Sequence, residues 1–128
     1  MVQYRRSLTK GGTYFFTVPL IDRHSEVLTR HIELLREAVR ATKQRLPFEI
    51  IAWVVLPDHL HAVWTLPIDD SDYSGRWRAI KSHFVRGLKR CAVSIGMRVD
   101  GSAMLWQRRF WEHTVKDEED LCRCVDYC

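Results

Sequence analysis

His59 and His61 stand two residues apart in the string His59-Leu60-His61, a spacing that suits metal chemistry if the segment is a strand. Side chains alternate across a strand, so both imidazoles project from one face with Val63 and Thr65, while Leu60, Ala62 and Trp64 take the other. Cα atoms at that interval lie about 6.5–7 Å apart, a span over which two rings can converge on one cation. Taken alone, such a pair more often marks two partly exposed or hydrogen-bonded histidines than a metal site. Of the six histidines, His24, His31 and His83 fall in helical or loop surroundings and read as structural or solvated. His113 shares a strand-like segment with Trp111 and Val115 and is a candidate for supporting the pair. The four cysteines are Cys91, Cys122, Cys124 and Cys128. Three of them crowd the last residues, which is not the distributed pattern of a disulfide framework, so reduced thiols are expected. Cys124 and Cys128 are a helical turn apart but Cys122 points elsewhere, which favours plain thiols over a thiolate zinc site.

The elements that must position these groups follow from periodicity. Thr13 to Pro19 (TYFFTVP) follows Gly11-Gly12 and is rich in aromatic and β-branched residues, as a first strand should be. Leu28, Ile32, Leu35, Val39 and Leu46 recur at helical spacing and predict a helix over 25–46, stopped by Pro47. Phe48 to Leu56 is nearly continuously apolar, and Pro57-Asp58 turns it into His59 to Leu66, predicting a hairpin. Trp77, Ile80, Phe84, Leu88, Cys91 and Ile95 form one stripe of a second helix over 73–95. Trp106 to Val115 reads as a fourth strand, and the acidic start of EEDLCRCVDYC suits a final helix. The order β-α-β-β-α-β-α predicts an α+β fold of the ferredoxin-like, RRM-like kind. Its antiparallel sheet carries two long helices on one face, and an additional C-terminal helix lies on or beside it.

A chain of 128 residues, 46% of them hydrophobic, sustains one core and is read as a single domain over 1–128. Twenty basic against 16 acidic residues give a formal charge of +4, which favours an anionic partner. The N-terminal MVQYRRSLTKGG lacks the apolar centre of a secretion signal, and no apolar run approaches the roughly 20 residues of a membrane span. A soluble, intracellular protein with no membrane partner is expected.

Three strings, read together and in order, carry more than the histidine pair does: AWVVLPDHLHAVWTLP, DYSGRWRAIKSHFVRGLKR and LWQRRFWEHTVKDEEDLCRCVDY. With the YRR that begins at Tyr4, they closely resemble the REP-associated tyrosine transposases, relatives of the single-tyrosine (HUH) insertion-sequence transposases. The resemblance implies a divalent cation, Mg²⁺ or Mn²⁺, held by His59 and His61, and Tyr127 on the last helix as the nucleophile. It also implies metal-dependent endonuclease and strand-transfer activity through a 5′-phosphotyrosine and a free 3′-OH. The substrate it implies is single-stranded hairpin DNA of repetitive extragenic palindromes with a short flanking tetranucleotide. Without the resemblance, Tyr127 reads as an aromatic anchoring the terminal helix. A phenol holds its proton at neutral pH, so activation needs the cation, a base or a cationic neighbour.

Family chains continue after the Asp-Tyr with a further polar side chain that completes the metal site. A domain ending at Cys128 is therefore expected to lack that third ligand, to bind metal weakly and to cleave slowly. Arg5 and Arg6, with Tyr4, are candidates for reaching the flanking segment, and Arg76, Arg78, Lys81, Arg108 and Arg109 for phosphate or hairpin contacts. Trp77, Phe110 and Trp111 are candidates for stacking on unpaired bases, against ordinary packing, and His113 is a second candidate for touching DNA. The family implies a bacterial, cytoplasmic, nucleoid-associated protein, monomer or homodimer. Two other readings stay open: a catalytically impaired single-stranded or hairpin DNA binder, and a metal hydrolase without covalent catalysis.

Overall fold

The computed structural model describes residues 10–128. Strand β1 (Thr13–Pro19) alternates as its sequence requires: Tyr14, Phe16 and Val18 are fully buried, and Phe15 and Thr17 turn to the opposite face. Short α1 (Val27–Arg30) and α2 (Ile32–Arg45) follow, then β2 (Glu49–Val55), β3 (His59–Thr65) and α3 (Tyr73–Arg90). A small hairpin of β4 (Gly96–Met97) and β5 (Ala103–Met104) precedes β6 (Trp111–Thr114) and α4 (Glu118–Tyr127). The main sheet has the order β2-β3-β1-β6 with every neighbour antiparallel. That is the ferredoxin-like arrangement expected from the element order.

Helices α2 and α3 pack together over one face of the sheet. Trp77 of α3 stacks on Trp64 of β3 with ring centroids 4.2 Å apart, and Phe16 meets both rings edge-on. Helix α4 sets Tyr127 against Phe15 and His61, residues of the other face. The sheet is thus sandwiched, with the two site-bearing elements, β3 and α4, meeting on the face away from α2 and α3. Among the described residues no helix is long and apolar enough to cross a membrane.

Element boundaries depart from periodicity at three places. The helix expected over 25–46 breaks at His31, whose backbone leaves helical geometry (φ −116°, ψ 40°). The break frees α1 to tie the Leu28 N–H to the Pro57 carbonyl in the β2–β3 turn, at 3.3 Å, while α2 lies along α3. Helix α3 stops at Arg90 rather than Ile95, because Ala92 takes a left-handed conformation (φ 59°) and Val93 N–H bonds back to the Leu88 carbonyl. The strand expected over 106–115 contracts to Trp111–Thr114, with Trp106 reduced to a single bridge to Leu20.

Candidate active site and nucleic-acid interface

On β3, His59 and His61 share the face that Thr17 of β1 and Val54 of β2 also present, since Thr17 and Val54 are the register partners of His61. The two imidazole centroids are 5.0 Å apart with the rings nearly perpendicular. Each ring is gripped at Nδ1. His59 Nδ1 lies 2.9 Å from Asp58 Oδ1, and His61 Nδ1 lies 2.9 Å from Thr17 Oγ1. Asp58 is in turn held by Arg23 Nε at 2.6 Å. These two bonds leave Nε2 of each ring as the nitrogen they do not use, the arrangement by which carboxylates and hydroxyls orient ligand histidines.

The electrostatics favour the same state. Hydrogen bonds from Arg23 and then His59 lower the Asp58 carboxyl to about 2, so it is ionised and accepts the His59 Nδ1–H. His61 is 6% exposed, and burial, reinforced by the neighbouring His59, holds its pKa below 6.5. It is a neutral imidazole near pH 7, the form that donates a lone pair.

Tyr127, in the last turn of α4, sets its ring edge-on against His61 (centroids 5.0 Å) and Phe15 (5.6 Å). Its side chain is still 67% exposed, so the phenol is open to a macromolecular substrate. Helix α4 is held at its start. Asp117 accepts from Asp120 N–H as N-cap, and Asp120 Oδ2 accepts from Lys116 N–H (2.9 Å) and pairs with His113 Nε2 (2.8 Å). The Lys116 N–H first, and His113 next, keep Asp120 below the usual carboxylate range. His113 therefore braces the helix that carries Tyr127. Among the described residues, the group of three donors that could hold a metal is His113, Asp120 and Cys124, and it includes neither His59 nor His61. All four cysteines are free thiols.

The basic residues separate into two kinds. Arg76, expected to contact DNA, is 1% exposed. Its guanidinium bonds the Leu46, Pro47 and Asp72 carbonyls and both carboxylate oxygens of Asp70. That placement corrects the expectation: Arg76 locks the α2–β2 turn to the start of α3 and has no donor facing solvent. Arg78, Lys81 and Arg108 instead line a cleft of about 790 Å³ between α3 and the segment from β4 to Phe110. Arg86, Lys89 and Arg98 line it too, and no acidic residue does. Arg86 and Lys89 were legible as further members of the α3 flank, since Arg78 and Lys89 lie about three helical turns apart on one line. Arg98 was not, because the β4–β5 hairpin left no periodic signal. Arg109 is exposed but outside this lining, and Tyr4, Arg5 and Arg6 lie outside the described residues.

Trp77 and Phe110, candidates for base stacking, are 2% and 5% exposed and belong to the core. Trp111 is 73% exposed and is the register partner of Thr17, which puts it on the histidine face at the sheet edge. Two buried indole N–H groups, of Trp77 and Trp106, have no hydrogen-bond partner among the described residues, and both rings line the basic cleft.

No family model matches the chain. A protein of Escherichia coli strain K12 named REP-associated tyrosine transposase is 46% identical over 129 residues, spanning 99% of this chain and 70% of that protein. A Haemophilus influenzae protein provisionally given the same name is 42% identical over 129 residues, spanning 99% and 73%. A solved structure of a REP-associated tyrosine transposase bound to a REP hairpin superimposes with a TM-score of 0.84 at 46% identity, covering 99% of this chain and 70% of that one. A Deinococcus radiodurans structure described as a transposase shares the fold, with a TM-score of 0.63 at 18% identity over 99% and 95% of the two chains.

Proposed function

The chain belongs to the family of REP-associated tyrosine transposases, and from that premise we propose that it nicks and rejoins single-stranded DNA beside a REP hairpin, with Tyr127 as nucleophile. The observation that carries the reading is the meeting of His59, His61 and Tyr127, from a strand and a separate helix, on one solvent-open face. Nothing in core packing calls for two histidines oriented at Nδ1 beside an exposed tyrosine.

The donor set fits a divalent cation: a neutral buried imidazole and a second one backed by an ionised carboxylate are metal-ligand chemistry. His59 and His61 would hold Mg²⁺ or Mn²⁺, which when bound polarises the scissile phosphate and offsets charge on its oxygens. A water, or the exposed Asp126 next to Tyr127, would complete the ligands. The chain's own part is positional. Phe15 and His61 hold the Tyr127 ring edge-on, so its oxygen meets the phosphorus of a strand laid across the face. The phenol releases its proton, the Tyr127 oxygen bonds phosphorus, and the departing 3′ oxygen leaves as a hydroxyl. The phosphodiester energy is kept in the phosphotyrosine, so a returning 3′-OH reverses the step.

The basic cleft would take the hairpin's phosphates, with Arg78, Lys81 and Arg108 in contact. Arg109 would meet the strand as it rounds the β6 edge, and Trp111 on the far side would stack an unpaired base. Tyr4, Arg5 and Arg6 would reach the flanking tetranucleotide. The test is incubation of 5′- and 3′-labelled REP hairpin DNA with Mn²⁺. A covalent adduct between the protein and the 5′-phosphate of the downstream fragment, which carries the 3′ label, is expected, abolished by Tyr127→Phe. Hairpin binding with no adduct would instead establish a non-catalytic binder, and cleavage with no adduct a hydrolase.

A further inference from the structure

Strand β6 and helix α4 bring together an imidazole, a carboxylate and a thiol that the nicking reaction does not use. One donor atom each from His113, Asp120 and Cys124 lie within 4.8 Å of one another. We propose that these three side chains form a zinc site that fastens the helix carrying Tyr127 to the edge of the sheet.

The placement follows from element geometry. Asp120 and Cys124 are one helical turn apart and so share a face of α4, and His113 stands opposite on β6. Asp120 and Cys124 are 7% and 8% exposed, whereas the His113 side chain is 44% exposed, so the set is closed on the protein side and open where an ion would enter. Zinc bonds of about 2.0–2.1 Å to nitrogen and about 2.3 Å to sulfur in a tetrahedron put donors roughly 3.3–3.8 Å apart. The donors, within 4.8 Å of one another, reach that spacing by small side-chain adjustments, for which the half-exposed imidazole has room.

Donor chemistry selects the metal. A thiolate with an imidazole suits zinc and disfavours magnesium, which takes an octahedron of oxygens. Carboxylate and thiolate together carry two negative charges, which Zn²⁺ neutralises. In the metal-free protein, burial and then the neighbouring Asp120 push the Cys124 thiol up, so it is protonated. Binding releases that proton to solvent, and His113 offers its Nε2 lone pair in place of the present bond to Asp120, keeping its N–H on Nδ1. Asp120 retains the Lys116 N–H bond on its remaining lone pairs. The fourth position falls to water or to Cys128, one turn beyond Cys124 and close enough to act on it electrostatically.

Cobalt(II) distinguishes this site from the histidine pair, because only a thiolate ligand gives an intense near-ultraviolet charge-transfer band. Titrating the intact, metal-free chain with Co²⁺ is expected to raise this band to one equivalent, and Zn²⁺ to bleach it. The band should persist in the His59→Ala/His61→Ala double variant and in Cys122→Ala, and vanish in Cys124→Ala. His113→Gln, a change at a half-exposed position that does not threaten the fold, should weaken Co²⁺ binding by about 10-fold or more. Zinc should raise the melting temperature of the unmodified chain and leave that of His113→Gln nearly unmoved. Absence of the band, its survival in Cys124→Ala, or its loss with His59 and His61 overturns the proposal.

Discussion

Two hydrogen bonds decide which nitrogen each site histidine offers: Asp58 holds His59 at Nδ1, and Thr17 holds His61. Thr17→Val is nearly isosteric and removes the second bond alone, so Mn²⁺ affinity should fall by about 10-fold while the fold persists. Equilibrium titration of Mn²⁺ checks this, and unchanged affinity would show that packing alone orients His61. The same groups set an acid dependence of stability in the metal-free chain. His61 has a folded pKa below its ordinary 6.5, so the unfolded chain takes that proton first as the pH falls. Its contribution is fully present above about 6.5 and is lost as pH drops toward the folded value. Asp58, at about 2 when folded against 3.8 ordinarily, adds a second loss between those values. Urea midpoints measured from pH 8 to pH 2 should fall in these two steps. His61→Phe should remove the upper step, and Asp58→Asn should shrink the lower, to which the depressed Asp70, Asp100 and Asp120 carboxyls also contribute.

At the scale of elements, the position of Tyr127, the proposed nucleophile, depends on how α4 begins. Asp117 caps its first turn, and the Asp120 bonds to Lys116 and His113 fix its entry angle from β6. Asp117→Ala leaves the Asp120 N–H without its cap and should cost about 1 kcal/mol of stability. It should also slow adduct formation in single-turnover kinetics, because a frayed α4 holds Tyr127 less often against His61 and Phe15. A drop in melting temperature with an unchanged adduct rate would separate helix stability from nucleophile placement. On the other face, Arg76 joins the α2–β2 turn to α3 through five acceptor atoms. Arg76→Met strips them of their donor in a buried setting and should destabilise the chain by about 3–5 kcal/mol in denaturant titrations. Arg78→Ala, one turn-flank away and exposed, should stay within about 0.5 kcal/mol of the parent.

For the whole molecule, charge and shape divide the labour between two faces. The proposed histidine–tyrosine site lies on one face and the basic cleft on the α3 side, and Trp111 stands exposed at the β6 edge, where DNA using both would pass. Each phosphate contact releases a condensed counterion, so affinity falls with salt in proportion to the contacts made. The double change Arg78→Ala/Arg86→Ala should weaken hairpin binding and make the slope of log affinity against log salt shallower by about 2. Salt titrations by fluorescence anisotropy measure this directly. An unchanged slope would mean that DNA phosphates ride elsewhere. The relative solved with a REP hairpin superimposes over 99% of this chain, which makes that hairpin the ligand to use.

What the sequence determined by itself was local or collective. Alternation along β3 put His59 and His61 on one face, because bond geometry gives a strand a period of two whatever surrounds it. The apolar stripes of α2 and α3 and the strand order followed from the same kind of rule, and three ordered strings carried the family. Tertiary structure alone decided the partners that lie far apart in the chain. Thr17 meets His61 across 44 residues, and Lys81 reaches the Gln107 carbonyl across 26. Composition gives no sign that Arg76 is buried while Arg78 is not, since both lie in one basic run and differ only in which side of α3 faces the core. Nor does periodicity reveal that Cys124, plain thiol by spacing, lies beside His113 and Asp120. Those pairings exist because burying the apolar faces of β1, β3 and α3 outweighs the cost of closing the intervening loops, and the polar groups are carried to wherever that packing puts them.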